Sequence, residues 1–92
     1  MAVVAENEAK EWVLEKEHEL RIECDFDHVA HFQLKSGKAE VFGTEIAVGV
    51  VFELRGENIA IFTWHGCVVS LWGNYHAYIA TETPMSIYLN VH

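Results

Sequence analysis

Apolar and polar side chains alternate along most of this chain, and this period of two restricts its fold more than any other feature. Residues 19–25 read Glu-Leu-Arg-Ile-Glu-Cys-Asp, so every second residue is apolar. Successive side chains of a β-strand point to opposite faces of a sheet. The alternation therefore places Leu20, Ile22 and Cys24 towards a core, with the charged side chains in water.

Turn-forming residues interrupt the alternating segments every 8–12 residues or so, a spacing typical of an antiparallel sandwich or small barrel. The sequence predicts an all-β fold, a small jelly-roll-like antiparallel β-sandwich of about eight short strands. One domain is expected over residues 11–92, after a flexible segment at residues 1–10. The predicted strands are residues 11–16, 19–25, 28–34, 39–42, 49–54, 59–64, 67–72, 75–80 and 85–91.

Glycines mark several of the predicted turns. Residues 35–38 read Lys-Ser-Gly-Lys and are expected to turn at Gly37, because glycine tolerates a positive φ. His65-Gly66 is expected to be a hairpin turn, and the dipeptide Gly73-Asn74 suits a tight one.

Composition excludes several classes of protein. The chain has 92 residues, of which 51% are hydrophobic, enough for one core. It has no apolar run of the roughly 18 residues that a membrane span needs, and its start does not resemble a secretory signal. Two cysteines without such a signal favour a reducing cytosolic or nuclear location.

The charge is strongly acidic, with fourteen Asp and Glu against six Lys and Arg, a formal net charge of −8. No Lys or Arg follows Arg55. Proteins bind a phosphate backbone through Lys and Arg side chains that displace counterions. We therefore expect no direct binding of nucleic acid.

Histidine and cysteine occur in two places at spacings that suggest a metal. Asp27-His28-x-x-His31 could share one ion only if the chain turns there, because positions three apart in a strand point to opposite faces. His65 and Cys67 would share a face, but zinc takes three or four ligands and the sequence offers no second cluster. No metal site is predicted. A free-standing β-sandwich with a His/Cys metal or ligand site is kept as the alternative.

The residues give no catalytic site. Cys67 begins an alternating strand on the same face as Val69, which favours a small core side chain over a nucleophile. The paired carboxylates near the N-terminus lie in a polar, charge-dense segment, unlike catalytic pairs. Gly37-Lys38 lacks the earlier glycine and the following helix of a P-loop.

Two tryptophans have predicted positions. Trp64 falls where a strand enters a turn and is expected to be packed. Trp72 has outward parity together with Val68, opposite Leu71. It is therefore interpreted either as part of an exposed partner surface or as ordinary satellite packing.

Four phrases occur in a fixed order along the chain. They are Glu19-Leu20-Arg21, Ser36-Gly37-x-Ala39-Glu40-x-Phe42-Gly43-Thr44-Glu45, Phe62-Thr63-Trp64-His65-Gly66-Cys67 and Thr83-Pro84-Met85-x-x-Tyr88-Leu89-Asn90-x-His92. Over residues 12–92 the chain resembles the N-terminal domain of the eukaryotic polynucleotide 5′-hydroxyl kinase family, whose members are subunits of the pre-mRNA cleavage complex.

The resemblance implies a non-catalytic domain of a larger parent. Members of that family have a small N-terminal β-sandwich, a central P-loop kinase domain and a C-terminal domain. ATP and Mg²⁺ would belong to the kinase domain, and this chain would hold no cofactor of its own. Because it stops at His92, an excised domain is expected rather than a natural short form.

The resemblance also implies partners and a location. The partners would be the kinase domain of the same parent and other cleavage-complex or tRNA-splicing subunits, with no membrane, in the nucleus. A related interpretation is an adaptor surface made of the acidic face or Trp72.

The family's N-terminal domain lends a glutamate and a basic residue to the adenine side of bound ATP. By position these correspond here to Glu19 and Asn58, with Arg55 the nearest cation. Asn58 can still hydrogen-bond a base edge, but it lacks the charge.

Overall fold

A computed structural model of the protein describes residues 9–81, in which nine β-strands and no helix occur. The strands are β1 (Lys10–Leu14), β2 (Glu19–Glu23), β3 (Val29–Gly37), β4 (Glu40–Val41), β5 (Thr44–Glu45), β6 (Val51–Arg55), β7 (Asn58–Phe62), β8 (Cys67–Gly73) and β9 (His76–Ala80). The predicted all-β fold is confirmed. Within residues 9–81, nothing helical is long and apolar enough to cross a membrane.

Some predictions fall outside the described residues. The strand predicted at residues 85–91 and the closing phrase at residues 83–92 lie there. So do residues 1–8 of the segment predicted to be flexible, whereas Lys10 already belongs to β1.

The strands form two antiparallel sheets that share one core. The four-stranded sheet has the order β1-β8-β3-β6, and the five-stranded sheet has the order β5-β4-β7-β2-β9. Consecutive strands alternate between the sheets, except that β4 and β5 lie in the same one. This is the small antiparallel sandwich that the sequence predicts, and its alternation fits a double-sheet jelly roll.

The hairpins predicted at His65-Gly66 and Gly73-Asn74 are wrong. Each of these turns carries the chain from one sheet to the other, from β7 to β8 and from β8 to β9. A glycine-containing turn reverses the chain in either case, so the local sequence does not distinguish a hairpin from a crossover. Gly73 is needed because the backbones approach closely there: a Cβ on it would lie 2.6 Å from the carbonyl oxygen of Val29.

The turn predicted at residues 35–38 is also wrong, since β3 continues to Gly37. The register of β3 against β8 shifts between Leu34 and Ser36, which indicates a β-bulge. Gly37 pairs with Cys67 and has a φ of +83°. The glycine therefore marks a bulged strand and a close backbone contact, two uses that sequence alone does not separate from a turn.

The period-two pattern predicts the core correctly. Leu20 and Ile22 are fully buried in β2, and Phe32 and Leu34 are buried in β3. Burying a side chain of this size stabilises a fold by about 1.5–3 kcal/mol. The core consists of Leu14, Leu20, Ile22, Cys24, Ala30, Phe32, Leu34, Ala39, Leu54, Ile59, Ile61, Cys67, Val69 and Leu71.

The substitution Gly37→Ala should destabilise the domain by about 3–5 kcal/mol, since strain at a positive φ adds to overpacking. The new Cβ would lie 2.4 Å from the carbonyl oxygen of Gly66. Gly49→Ala is the matched control, because Gly49 has a φ of +90° but no heavy atom within 4 Å of a new Cβ. Its cost should be about 1 kcal/mol. Urea unfolding measures the free energy of unfolding of both variants. Equal losses of stability would contradict the close backbone approach at Gly37.

Candidate functional site

The two residues predicted to lie near adenine share the outer face of the five-stranded sheet but do not meet. In β2, Glu19 has the parity opposite to the buried Leu20, and in β7 Asn58 has the parity opposite to the buried Ile59. Glu19 pairs with the far end of β7, whereas Asn58 pairs with Glu23. Four residues therefore separate them along the strand pair, about 13 Å.

Arg21 lies between these two residues on the same face. Its Nε donates a hydrogen bond of 2.8 Å to Oε1 of Glu19, and its guanidinium carbon lies 6.0 Å from the ring centroid of Tyr78. The Glu19 carboxylate, followed by the Tyr78 hydroxyl, raises the pKa of Arg21 above its usual value. Arg21 and Glu19 therefore present a fixed ion pair rather than a free carboxylate.

A shallow groove of about 280 Å³ follows this face, and Asn58 is one of its lining residues. Phe42 and Tyr78 also line it, with the small side chain of Ala60 and the guanidinium of Arg21 between them. The register places both Ala60 and Tyr78 directly opposite Arg21. The groove thus offers aromatic side chains, one cation, one amide and the carboxylate of Glu23, a combination that suits a flat polar group or a partner's side chains.

Phe42 is the most unusual residue of the groove. It lies in the two-residue loop between β4 and β5, where it has a φ of +52° and Gly43 has a φ of +78°. Positive φ at both loop residues is the type I′ hairpin geometry, but a bulky residue rarely adopts it. Phe42 is 82% exposed, so no burial offsets the strain. Such strain is typical of residues retained for function.

Sequence reasoning missed three of the groove residues. It assigned Phe42 to the end of a strand and gave no role to Arg21 or Tyr78. Arg21 and Glu19 are two residues apart in β2 and share a face, so the sequence alone could have predicted that they are neighbours. Tyr78 belongs to β9, which pairs with β2, and Phe42 follows β4, which pairs with β7; no local pattern reveals these pairings.

The prediction that Trp64 is packed is wrong, since 57% of the residue is exposed. Its ring meets Phe62 edge-on, with the centroids 4.7 Å apart. The buried member of this segment is Thr63, whose Oγ1 donates to the carbonyl oxygen of Lys38 at 2.7 Å and accepts from the amide of Gly66 at 2.9 Å. Thr63 fixes the crossover and leaves Trp64 outside.

Of the two interpretations of Trp72, ordinary satellite packing is correct and the exposed partner surface is wrong. Trp72 is 6% exposed and stacks on His31, with ring centroids 5.6 Å apart and an angle of 12° between the rings. Nε2 of His31 lies 3.6 Å from Oε1 of Glu53 on the next strand. These side chains occupy the outer face of the four-stranded sheet, apart from the core.

The residues considered as metal ligands are dispersed. His28 lies in the turn before β3, with Nδ1 3.9 Å from Oδ2 of Asp25, while His31 stacks on a tryptophan. His65 precedes β8, which begins at Cys67, so these two residues do not share a strand face. His65 is exposed, whereas Cys67 is buried in the core. Within residues 9–81, the structure places no group of three or more His, Cys, Asp or Glu side chains to hold a metal ion.

Residues 13–92 match the family described as the N-terminal β-sandwich domain of polyadenylation factor. The chain is 49% identical over 88 residues to the Nematostella vectensis protein CLP1 homolog, covering 92% of this chain and 21% of that protein. It is 46% identical over 81 residues to the Gallus gallus polyribonucleotide 5′-hydroxyl-kinase Clp1, covering 86% of this chain and 19% of that protein. The Homo sapiens protein of the same name is 44% identical over the same length. The chain thus spans about a fifth of the length of the curated relatives it matches.

Two solved structures share this fold. A Clp1p chain from a study of the extended interface between Pcf11p and Clp1p superposes with a TM-score of 0.75 at 20% identity, covering 92% of this chain and 21% of that one. Clp1p in complex with Pcf11p (454–563) superposes with a TM-score of 0.75 at 18% identity, covering 97% of this chain and 22% of that one.

Cys67 should behave as a core residue and not as a nucleophile. Burial raises the pKa of its thiol, and the Thr63 hydroxyl offsets only part of this effect. In a Cys24→Ala background, iodoacetamide should label Cys67 more slowly at pH 8 than it labels the urea-unfolded chain, because a raised pKa lowers the thiolate fraction and burial limits access to the sulfur. Rapid labelling that is already maximal at neutral pH would identify an activated thiol instead.

Proposed function

Because the chain belongs to the family of the N-terminal β-sandwich domain of polyadenylation factor, we propose that it is the non-catalytic first domain of an RNA 5′-hydroxyl kinase. The parent protein would act in the mRNA 3′-end cleavage and polyadenylation machinery in the nucleus, and in tRNA splicing in some relatives. Support comes from relatives named polyribonucleotide 5′-hydroxyl-kinase, of which the chain spans about a fifth. ATP and Mg²⁺ are assigned to the ATP-binding domain of the parent.

A supporting role, rather than catalysis, agrees with the chemistry of the described residues. Phosphoryl-transfer sites of the P-loop kind hold phosphates at a helix N-terminus, and residues 9–81 contain no helix. The Cys67 thiol is buried, and His28 and His31 lie near different carboxylates, those of Asp25 and Glu53. No cluster among residues 9–81 favours the alternative of a free-standing metal-binding module.

The outer face of the five-stranded sheet is the proposed docking face for the ATP-binding domain. The observation that carries this choice is Phe42, which is 82% exposed at an unfavourable φ beside an open groove. Tyr78 adds a second aromatic ring, 47% exposed. Aromatic anchors surrounded by polar groups are typical of interface hot spots. On the opposite sheet the largest aromatic, Trp72, is already buried against His31.

Within the docked assembly, the groove would cover the adenine side of bound ATP. Asn58 would supply both a donor and an acceptor to the base edge, since an amide has both. Glu19 would act together with Arg21, because their ion pair fixes the carboxylate. Other subunits of the cleavage machinery are proposed as further partners, because a structural relative is found in complex with Pcf11p.

Docking can be tested by mixing this chain with the part of the Nematostella vectensis relative that follows the matching segment. Phe42→Gly and Tyr78→Ala should each weaken association about tenfold, the usual loss at an aromatic hot spot. Phe42→Gly should leave the free energy of unfolding unchanged or higher, because glycine removes the strain. Val13→Ala and Val51→Ala, exposed on the other sheet, are the controls. No association, or equal losses at all four positions, would contradict this docking face.

The adenine contact is tested in the full-length relative with its first domain replaced by this chain. Asn58→Ala should weaken ATP binding about three- to tenfold, the effect of one hydrogen bond. Asn58→Lys should strengthen ATP binding, because it adds a cation near the nucleotide. Val51→Ala, which changes no charge and is exposed on the other sheet, is the control. Unchanged ATP affinity in both Asn58 variants would contradict the proposed adenine contact without contradicting the proposed docking face.

A further inference from the structure

A second cavity, of about 150 Å³, opens at the end of the five-stranded sheet where the chain crosses to the other sheet. One wall is aromatic and consists of Phe62 and Trp64; another carries two carboxylates, those of Glu40 and Glu45. The remaining lining residues are Lys38, Ala39 and His65. Neither the core nor the groove described above uses this space.

The aromatic wall is held in place before any ligand arrives. Thr63, which is fully buried, bonds through Oγ1 to Lys38 and Gly66, and its backbone exchanges hydrogen bonds with His18 and Glu17. The next residue, Trp64, is consequently directed outwards. Its ring stands edge-on to Phe62 at an interplanar angle of 83°. A preorganised aromatic wall binds a ligand without a further ordering cost.

The two carboxylates of the cavity form no salt bridge among residues 9–81. Glu40 and Glu45 lie directly opposite each other in the β4–β5 hairpin, and like charges in this position destabilise a sheet. Among residues 9–81, neither carboxylate has a basic side chain within 4.0 Å. An incoming cation would relieve this repulsion.

The chain's own arginines are already engaged elsewhere. There are two, Arg21 and Arg55, and each bonds the carboxylate two residues earlier in its own strand. A guanidinium for the cavity would therefore come from another molecule. Lys38 stands at the rim, more than 4.0 Å from both carboxylates, and would compete with that cation rather than supply it.

We propose that this cavity binds an arginine side chain presented by a partner protein. A guanidinium is planar, stacks on aromatic rings and pairs with carboxylates through several parallel hydrogen bonds, so it suits both walls. A cavity of about 150 Å³ accepts a group as large as benzene. The acidic wall would repel a nucleic acid. The inference goes beyond docking on the ATP-binding domain and does not rest on it, since any protein segment carrying the arginine would serve.

The direct test titrates the 92-residue chain with N-acetyl-arginine amide and follows the three tryptophan indole N–H signals by NMR. Only the Trp64 signal should move, with a Kd of about 1–10 mM, as expected for one small group in an open cavity. The neutral citrulline analogue should give no shift, and N-acetyl-lysine amide should bind at least about threefold more weakly. Equal responses to arginine and citrulline, equal affinity for lysine, or no Trp64 shift at about 50 mM would overturn the proposal.

Variants separate the cavity from the overall acidity of the protein. Glu40→Gln with Glu45→Gln should weaken arginine binding about fivefold or more, and Trp64→Leu should do the same. Glu11→Gln with Glu57→Gln changes the net charge equally at exposed positions elsewhere and should have no effect. Lys38→Gln should strengthen binding, because it removes the competing cation. If the two double variants behave alike, the shift reports net charge and the cavity site is refuted.

Discussion

One requirement governs this fold: both sheets must bury their apolar faces in the same core. Each sheet contributes alternate residues, such as Leu20 and Ile22 from the five-stranded sheet and Val69 and Leu71 from the four-stranded one. A chain that alternates between the sheets satisfies this requirement with short connections. It also brings backbones close together at the crossings, which is why Gly37 and Gly73 leave no room for a Cβ.

The two outer faces of the sandwich differ in how much they leave open. On the four-stranded sheet, Trp72 and His31 stack with Glu53 beside them, and the largest ring is buried. On the five-stranded sheet, Phe42 and Tyr78 remain exposed around a groove. This asymmetry is the basis for proposing that the domain docks through the five-stranded sheet. It also agrees with the proposed role of a docking domain whose chemistry resides in a neighbouring domain.

The charged side chains also differ in whether they are paired. Both arginines are held by carboxylates on their own strands, and these carboxylates are therefore compensated. In the second cavity, Glu40 and Glu45 face each other without such a partner among residues 9–81. The net charge of −8 is the reason for expecting a basic protein partner rather than RNA.

The sequence by itself determined the all-β fold, most of the described strands, the core and the family, but it missed β5 and ended β3 too early. Period-two alternation is local, so it identifies the buried face of β2 and β3 without any knowledge of their neighbours. It also placed Glu19 and Arg21 on one face. Only the tertiary structure decided which sheet each strand joins, what covers each outer face, and which strand lies beside which. Hence Trp64 is exposed, contrary to expectation, Trp72 is buried on an outer face, and Phe42 and Tyr78 line one groove with Arg21 through long-range pairing. Alternation assigns a side chain to a face, but the contacts on that face depend on residues distant in the chain.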